Sequence, residues 1–304
     1  MKQSFLKSAE QGCNAVWRYI CGILIAMLLG LVGLRWVGMP ISSAIGDSLV
    51  IFKQPIDMIE TEENIKQFSP HSLETSYISI HFAYAFFCIG IFIAVKLLHQ
   101  RKVLTLISPG ATFQWQRFGI GFSLWFVLAS IQTCVEFLYN PGTFIWNFQP
   151  SAWLSFLPWA IVFTPLQTST EELLFRGYLL QGLGLVIRQP VVLTLVSSLP
   201  FAIAHFSNPE MARGAVWIGL TYWLMGIFLT LITLRDNRLE LALGVHAANN
   251  LFVVLMVNTQ DSALPTPALI IQQTPSDPRF TLAVLVVAIA VFYGLVFRYN
   301  RPLP

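Results

Sequence analysis

The chain has 304 residues, of which 55% are hydrophobic and 11% charged, with a mean hydropathy of +0.65. This balance excludes an ordinary soluble domain and a disordered chain, and it points to a polytopic membrane protein. The formal net charge of +3 reflects the placement of loop Lys and Arg residues and gives no indication of a nucleic-acid partner.

A spanning helix needs about 20 mostly apolar residues to cross roughly 30 Å of hydrocarbon. In chain order such runs lie at 16–38, 77–97, 118–138, 152–184, 190–206, 214–234, 240–258 and 280–298. The expected fold class is an all-α bundle of about eight transmembrane helices, packed as one bundle around a polar intramembrane site. No internal repeat or low-complexity tract divides it. Three regions are read along the chain: 1–149 with about three spans, a core at 150–258, and 259–304 with an exterior loop and the last span.

The first run follows Lys2 and Lys7. It is longer than a signal-peptide core and lacks an A-x-A site, so it is expected to be retained as an anchor. Segment 39–76 carries Asp47, Asp57, Glu60, Glu62, Glu63 and Glu74 against Lys53 and Lys66 and reads as an exterior loop. Lys96, Arg101, Lys102 and Arg117, then Arg235 and Arg238, then Arg298 and Arg301 fall on the opposite side, with the N-terminal basic residues. The positive-inside rule then puts both termini in the cytoplasm, and a bacterial plasma membrane is the expected location. Cys13, Cys21, Cys88 and Cys134 contain no CxxC pair and are expected to be buried thiols.

The fourth run contains three ionisable residues in TSTEELLFRGYLL. A charge at the bilayer centre costs about 2.5–3.5 kcal/mol, so such a group usually faces the interior with a partner or a function. Glu172 and Arg176, four apart, share a helix face and can pair. Glu171 points about 100° away. The plain alternative is a capping box, with Ser169 as N-cap and Glu172 three residues on. A helix break near Pro165 would supply that new N-terminus, and one straight helix over the run would be about 50 Å long. Capping explains Glu172 but leaves Glu171 unaccounted for.

In the fifth run PFAIAHF sets Phe201 and His205 on one face, and in the seventh GVHAANN does the same for His246 and Asn250. Each alone fits a packed interfacial histidine or a polar helix contact of about 0.6 kcal/mol. Asn249 lies about 100° around the helix from Asn250 and is expected outside the site. His205 and His246 stand at different depths in the eight-span arrangement, by roughly 12 Å.

In this order, E-E-x-x-x-R, F-x-x-x-H and H-x-x-x-N over residues 150–258 resemble the CAAX prenyl endopeptidase type II family, also called CPBP or Abi proteins, which are glutamate-dependent intramembrane proteases. The resemblance implies an endopeptidase that hydrolyses a peptide or membrane-protein substrate presented at or in the lipid bilayer. It implies that Glu171 is the general base and that His205 helps to hold the water. His246 and Asn250 would donate to the oxyanion, with Glu172, Arg176 and Phe201 in support. No cofactor is implied. A zinc site made by two histidines and a glutamate is the alternative chemistry, although H-E-x-x-H is absent from the chain. From other classes, the alternatives are a proton-coupled carrier and a non-proteolytic scaffold or immunity-type protein. Substrate identity and oligomeric state are not encoded in any motif.

Overall fold

The computed structural model describes residues 4–40 and 70–298. Of the expected exterior loop 39–76, residues 41–69 lie outside the described residues, and 70–76 already belong to a helix rather than to a loop. Helices occupy all eight apolar runs. They are α1 (Val16–Gly33), α2 (Pro70–Ile93), α3 (Trp115–Tyr139), α4 (Pro150–Glu172) with its short continuation α5 (Leu180–Leu183), α6 (Pro190–Ala204), α7 (Ala215–Asp236), α8 (Glu240–Leu255) and α9 (Pro278–Phe297). Five stretches, Val16–Gly38, Tyr77–Leu98, Trp115–Tyr139, Ala215–Asp236 and Pro278–Phe297, are long and apolar enough to cross a membrane. The protein is an all-α integral membrane protein.

The remaining helices depart from ordinary span length. At 1.5 Å per residue α6 and α8 are each only about 23 Å long, whereas α4 through α5 runs to about 50 Å. Burial sorts them the same way. Thirteen of the sixteen residues of α8 are buried, so this helix is enclosed by protein, while the outer helices leave most of their apolar surface free for lipid. The enclosure depends on close approach to α3. A Cβ at Gly244 would lie 2.1 Å from the Phe118 carbonyl oxygen, and one at Gly121 would lie 2.4 Å from that of Leu241. Small residues at such crossings let helix backbones touch.

Helix α4 does not break at Pro165. It continues through both Pro158 and Pro165 to Glu172, then widens into a π-type turn at Leu173–Leu179. Its N-cap is Gln149, so Ser169 is interior to the helix and the capping-box reading is excluded. A proline inside a spanning helix is tolerated where neighbouring groups satisfy the freed backbone. The irregularity lies beyond Glu172, in a form often found at functional sites.

One end of the bundle is basic. There Arg117 pairs with Asp236, and Arg238 pairs with Glu240 at 2.5 Å. The other end carries a three-stranded sheet of β1 (Phe144–Trp146), β2 (Val257–Thr259) and β3 (Ile270–Gln272) in the order β1-β3-β2. β1 pairs β3 antiparallel with Ile145 opposite Ile271, and β2 pairs β3 in parallel with Asn258 opposite Ile271. The cysteines depart from expectation. Only Cys88 is buried, Cys13 and Cys21 are half-buried, and Cys134 is exposed on α3, all as free thiols. An apolar membrane-facing surface accommodates a thiol without enclosing it in protein.

Candidate active site

The seven residues singled out from the sequence lie on α4 and its π turn, on α6 and at its C-terminal cap, and on α8. Glu172 is fully buried and Arg176 is 1% exposed. Arg176 Nη1 donates to Glu172 Oε1 at 2.6 Å, while Nη2 donates to the Gly226 carbonyl on α7 at 3.2 Å. The guanidinium also lies over the Phe201 ring, 4.5 Å from its centroid. Thus α4, α6 and α7 are joined at one cation.

His246 joins α8 to the same pair. Its Nδ1 lies 2.7 Å from Glu172 Oε1, to which it donates. Its other nitrogen, Nε2, faces Glu171 Oε2 at 3.8 Å. Second-group orientation of this kind fixes an imidazole and leaves a single nitrogen for chemistry. The imidazole beside Glu171 is therefore that of His246. His205 caps α6, donates from Nδ1 to the Phe201 carbonyl at 2.7 Å and stacks on Tyr222 at 4.2 Å. The Phe201 ring lies 4.7 Å from that of His205 and 5.8 Å from that of His246. Phe201 thus contacts both imidazoles.

Glu171 has partners that the sequence pattern did not reveal. Gln167, one turn earlier, donates from Nε2 to Glu171 Oε1 at 3.2 Å and also lies 3.4 Å from the Tyr84 hydroxyl. The other end of its amide, Oε1, is 3.1 Å from His81 Nε2. His81 is fully buried and donates from Nδ1 to the Tyr77 carbonyl at 2.6 Å. Helix α2 thereby reaches the site. The i,i+4 spacing of Gln167 and Glu171 was the one available signal, since Tyr84 and His81 are more than 80 positions away. Glu171 Oε2 has no hydrogen-bond partner within the protein although it is buried. Glu172 Oε2 is likewise buried without a hydrogen-bond partner.

Asn250 is half-buried and accepts from Asn249 Nδ2 at 3.1 Å. Asn249 in turn accepts from the indole N–H of Trp125 at 3.1 Å. Asn249 thus ties α8 to α3 and is not the neutral control its helical phase suggested. Among the described residues no group of three or more His, Cys, Asp and Glu side chains is placed to hold a metal ion.

Residues 150–252 match the family model of the type II CAAX prenyl endopeptidase Rce1-like proteins. The chain is also 30% identical over 299 residues to the uncharacterized protein YyaK of Bacillus subtilis (strain 168), covering 98% of this chain and 96% of that protein. The protein belongs to the Rce1-like family. No solved structure matches it. The family segment begins at the first residue of α4 and ends within α8, so it includes all seven candidate residues. It leaves out His81 and Tyr84, the α2 groups packed around Glu171. The family is that of the CAAX-type intramembrane proteases.

Proposed function

We propose that the protein is an intramembrane endopeptidase, acting on a peptide or membrane protein presented at or within the bilayer, with Glu171 as general base. The observation that carries this reading is the division of labour between adjacent carboxylates. Glu172 is engaged through Oε1 by both the Arg176 guanidinium and His246, whereas Glu171 takes its hydrogen bond at Oε1 from the neutral Gln167 amide; each keeps a buried Oε2 without a hydrogen-bond partner. A carboxylate already neutralised by a guanidinium is a poor proton acceptor, so the neighbouring one is left to act.

In this reading a water held against Glu171 attacks the scissile carbonyl carbon and gives its proton to Glu171 Oε2. The carbonyl oxygen becomes an oxyanion. Glu171 then returns the proton to the departing amine as the carbon–nitrogen bond breaks. His205, with Nδ1 committed to Phe201, offers Nε2 as an acceptor that orients the water. Asn250 supplies an amide donor to the oxyanion. His246 can donate there through Nε2 only with both ring nitrogens protonated, since Nδ1 already donates to Glu172. By the positive-inside rule, the basic end faces the cytosol.

The test uses full-length protein in nanodiscs with a panel of prenylated and unprenylated peptides and single-span membrane proteins, read by mass spectrometry for cleavage products. Cleavage by the wild type, absent with Glu171→Gln, supports the reading. A protein that cleaves nothing but moves protons across liposomes would replace it with the carrier.

A further inference from the structure

We infer that the basic end of the bundle holds a second site, for a phosphate-bearing anion, separate from the proteolytic centre. A cavity of about 1210 Å³ opens there. Its walls include Gln11, Lys96, Gln100, Arg101 and Lys102. Three cations line it, with no carboxylate among the lining residues. The acid nearest in sequence, Glu10, is exposed and outside the lining.

Arg101 carries the inference. Its side chain lines the cavity yet the residue is only 6% exposed. Nη1 donates to Gln181 Oε1 on α5 at 2.7 Å. Nε and Nη2 are buried without a partner, and Arg101 joins none of the ion pairs among the described residues. These two nitrogens form one edge of the guanidinium, the fork that binds two oxygens of a phosphate side by side. Burial works against the charge and lowers the pKa of Arg101 from the ordinary guanidinium value. An unpaired buried cation is costly, and an anion in the cavity offsets that cost once the guanidinium edge, closed to solvent in this structure, turns toward it.

The segment carrying Arg101 is held firmly. His99 is fully buried, donates from Nδ1 to the Cys13 carbonyl at 2.8 Å and meets the Tyr178 hydroxyl with Nε2 at 2.7 Å. The Cys13 amide returns a bond to the His99 carbonyl at 2.9 Å. A Cβ at Gly12 would lie 2.3 Å from that carbonyl oxygen, so only glycine permits the approach. Gln100 and Ala111, both on the cavity wall, hold φ of +54° and +50°. Non-glycine residues accept such angles when the surroundings impose them.

Position selects the ligand chemistry. Lys96 lies in the last turn of the Tyr77–Leu98 span, and Lys102 is six residues farther on, so the cavity stands at the membrane–water boundary. Basic pockets between spans at that level bind anionic phospholipid headgroups. A soluble phosphate ester offers the same oxygens, and the two sources separate experimentally.

The experiment takes purified full-length protein in a neutral detergent and measures binding by thermal melting and native mass spectrometry. The probes are short-chain phosphatidylglycerol, inorganic phosphate and short-chain phosphatidylcholine. Saturable binding of phosphatidylglycerol is expected, and a Lys96→Gln/Lys102→Gln variant should bind it about twenty-fivefold more weakly, at about fivefold per lysine. Arg101→Gln should abolish it. Should Arg101→Gln fail to fold, the exposed lysine pair carries the test. Binding of inorganic phosphate with the same variant dependence assigns the site to a soluble phosphate compound; binding of the anionic lipid alone assigns it to the membrane. Equal binding of phosphatidylcholine, undiminished binding by the lysine variant, or no saturable binding of either phosphate probe overturns the inference.

Discussion

Replacing Glu172 by glutamine keeps the side-chain shape and removes one charge from the centre of the helix junction. Arg176 would then be a guanidinium 1% exposed with only a neutral amide in place of its carboxylate. Removing one member of a buried pair costs about 3–5 kcal/mol, because the remaining charge stays buried. The hydrogen bond from His246 weakens as well, but it shares the same oxygen, so the two losses are not additive. The surface offers a contrast in the same molecule. Arg213 and Asp261 lie 2.9 Å apart with 24% and 31% of their side chains exposed, and breaking such a pair costs about 0–1 kcal/mol. Reversible unfolding in mixed micelles measures both. Glu172→Gln should lose several-fold more stability than Asp261→Asn, and Glu172→Gln/Arg176→Met should recover part of the loss. Equal small losses at the two carboxylates, or a double variant that loses the sum of its parts, would refute the view that this buried pair holds the junction.

Other outcomes follow from single contacts. Gly244→Ala places a methyl 2.1 Å from a backbone oxygen on α3, which forces the helices apart and should cost about 1–3 kcal/mol or more, read by unfolding. Asn250→Ala should lower kcat by about 10²–10³ with KM little changed, as expected for an oxyanion donor; Asn249→Ala should instead lower stability by about 1–3 kcal/mol, since the Trp125 N–H loses its acceptor. Gln167→Ala removes the donor to Glu171 and the partner of His81, so stability should fall by about 1–3 kcal/mol, read by unfolding. Exhaustive chelation should leave cleavage unchanged and purified protein free of stoichiometric zinc; loss of activity restored by zinc would turn the same side chains into ligands.

The apolar runs mark all eight helices, because the length and composition of a spanning segment are constrained by the bilayer alone. The Glu172–Arg176 contact was equally accessible, since four-residue spacing on a helix needs no tertiary information. What stayed hidden depends on contacts between distant parts of the chain. His81 and Tyr84 look like ordinary polar residues of a span until α2 is packed on α4, and Asn249 looks off-phase until Trp125 is found against it. The three-residue strands are too short for any alternating pattern, and β1 finds β3 across more than 100 positions. Pro165 gave a misleading signal. Proline disrupts an isolated helix, but a packed spanning helix can continue through it, and the widened turn begins instead at Leu173.

The central claim is that Glu171 moves the proton in peptide hydrolysis. Its most direct test is single-turnover cleavage of one peptide by the wild type and by Glu171→Gln in nanodiscs, with unfolding measured on the same preparations. Loss of a general base is worth about 10²–10⁴ in rate. A loss in that range with stability unchanged is expected, whereas substantial cleavage by a fully folded Glu171→Gln would mean that another group takes the proton.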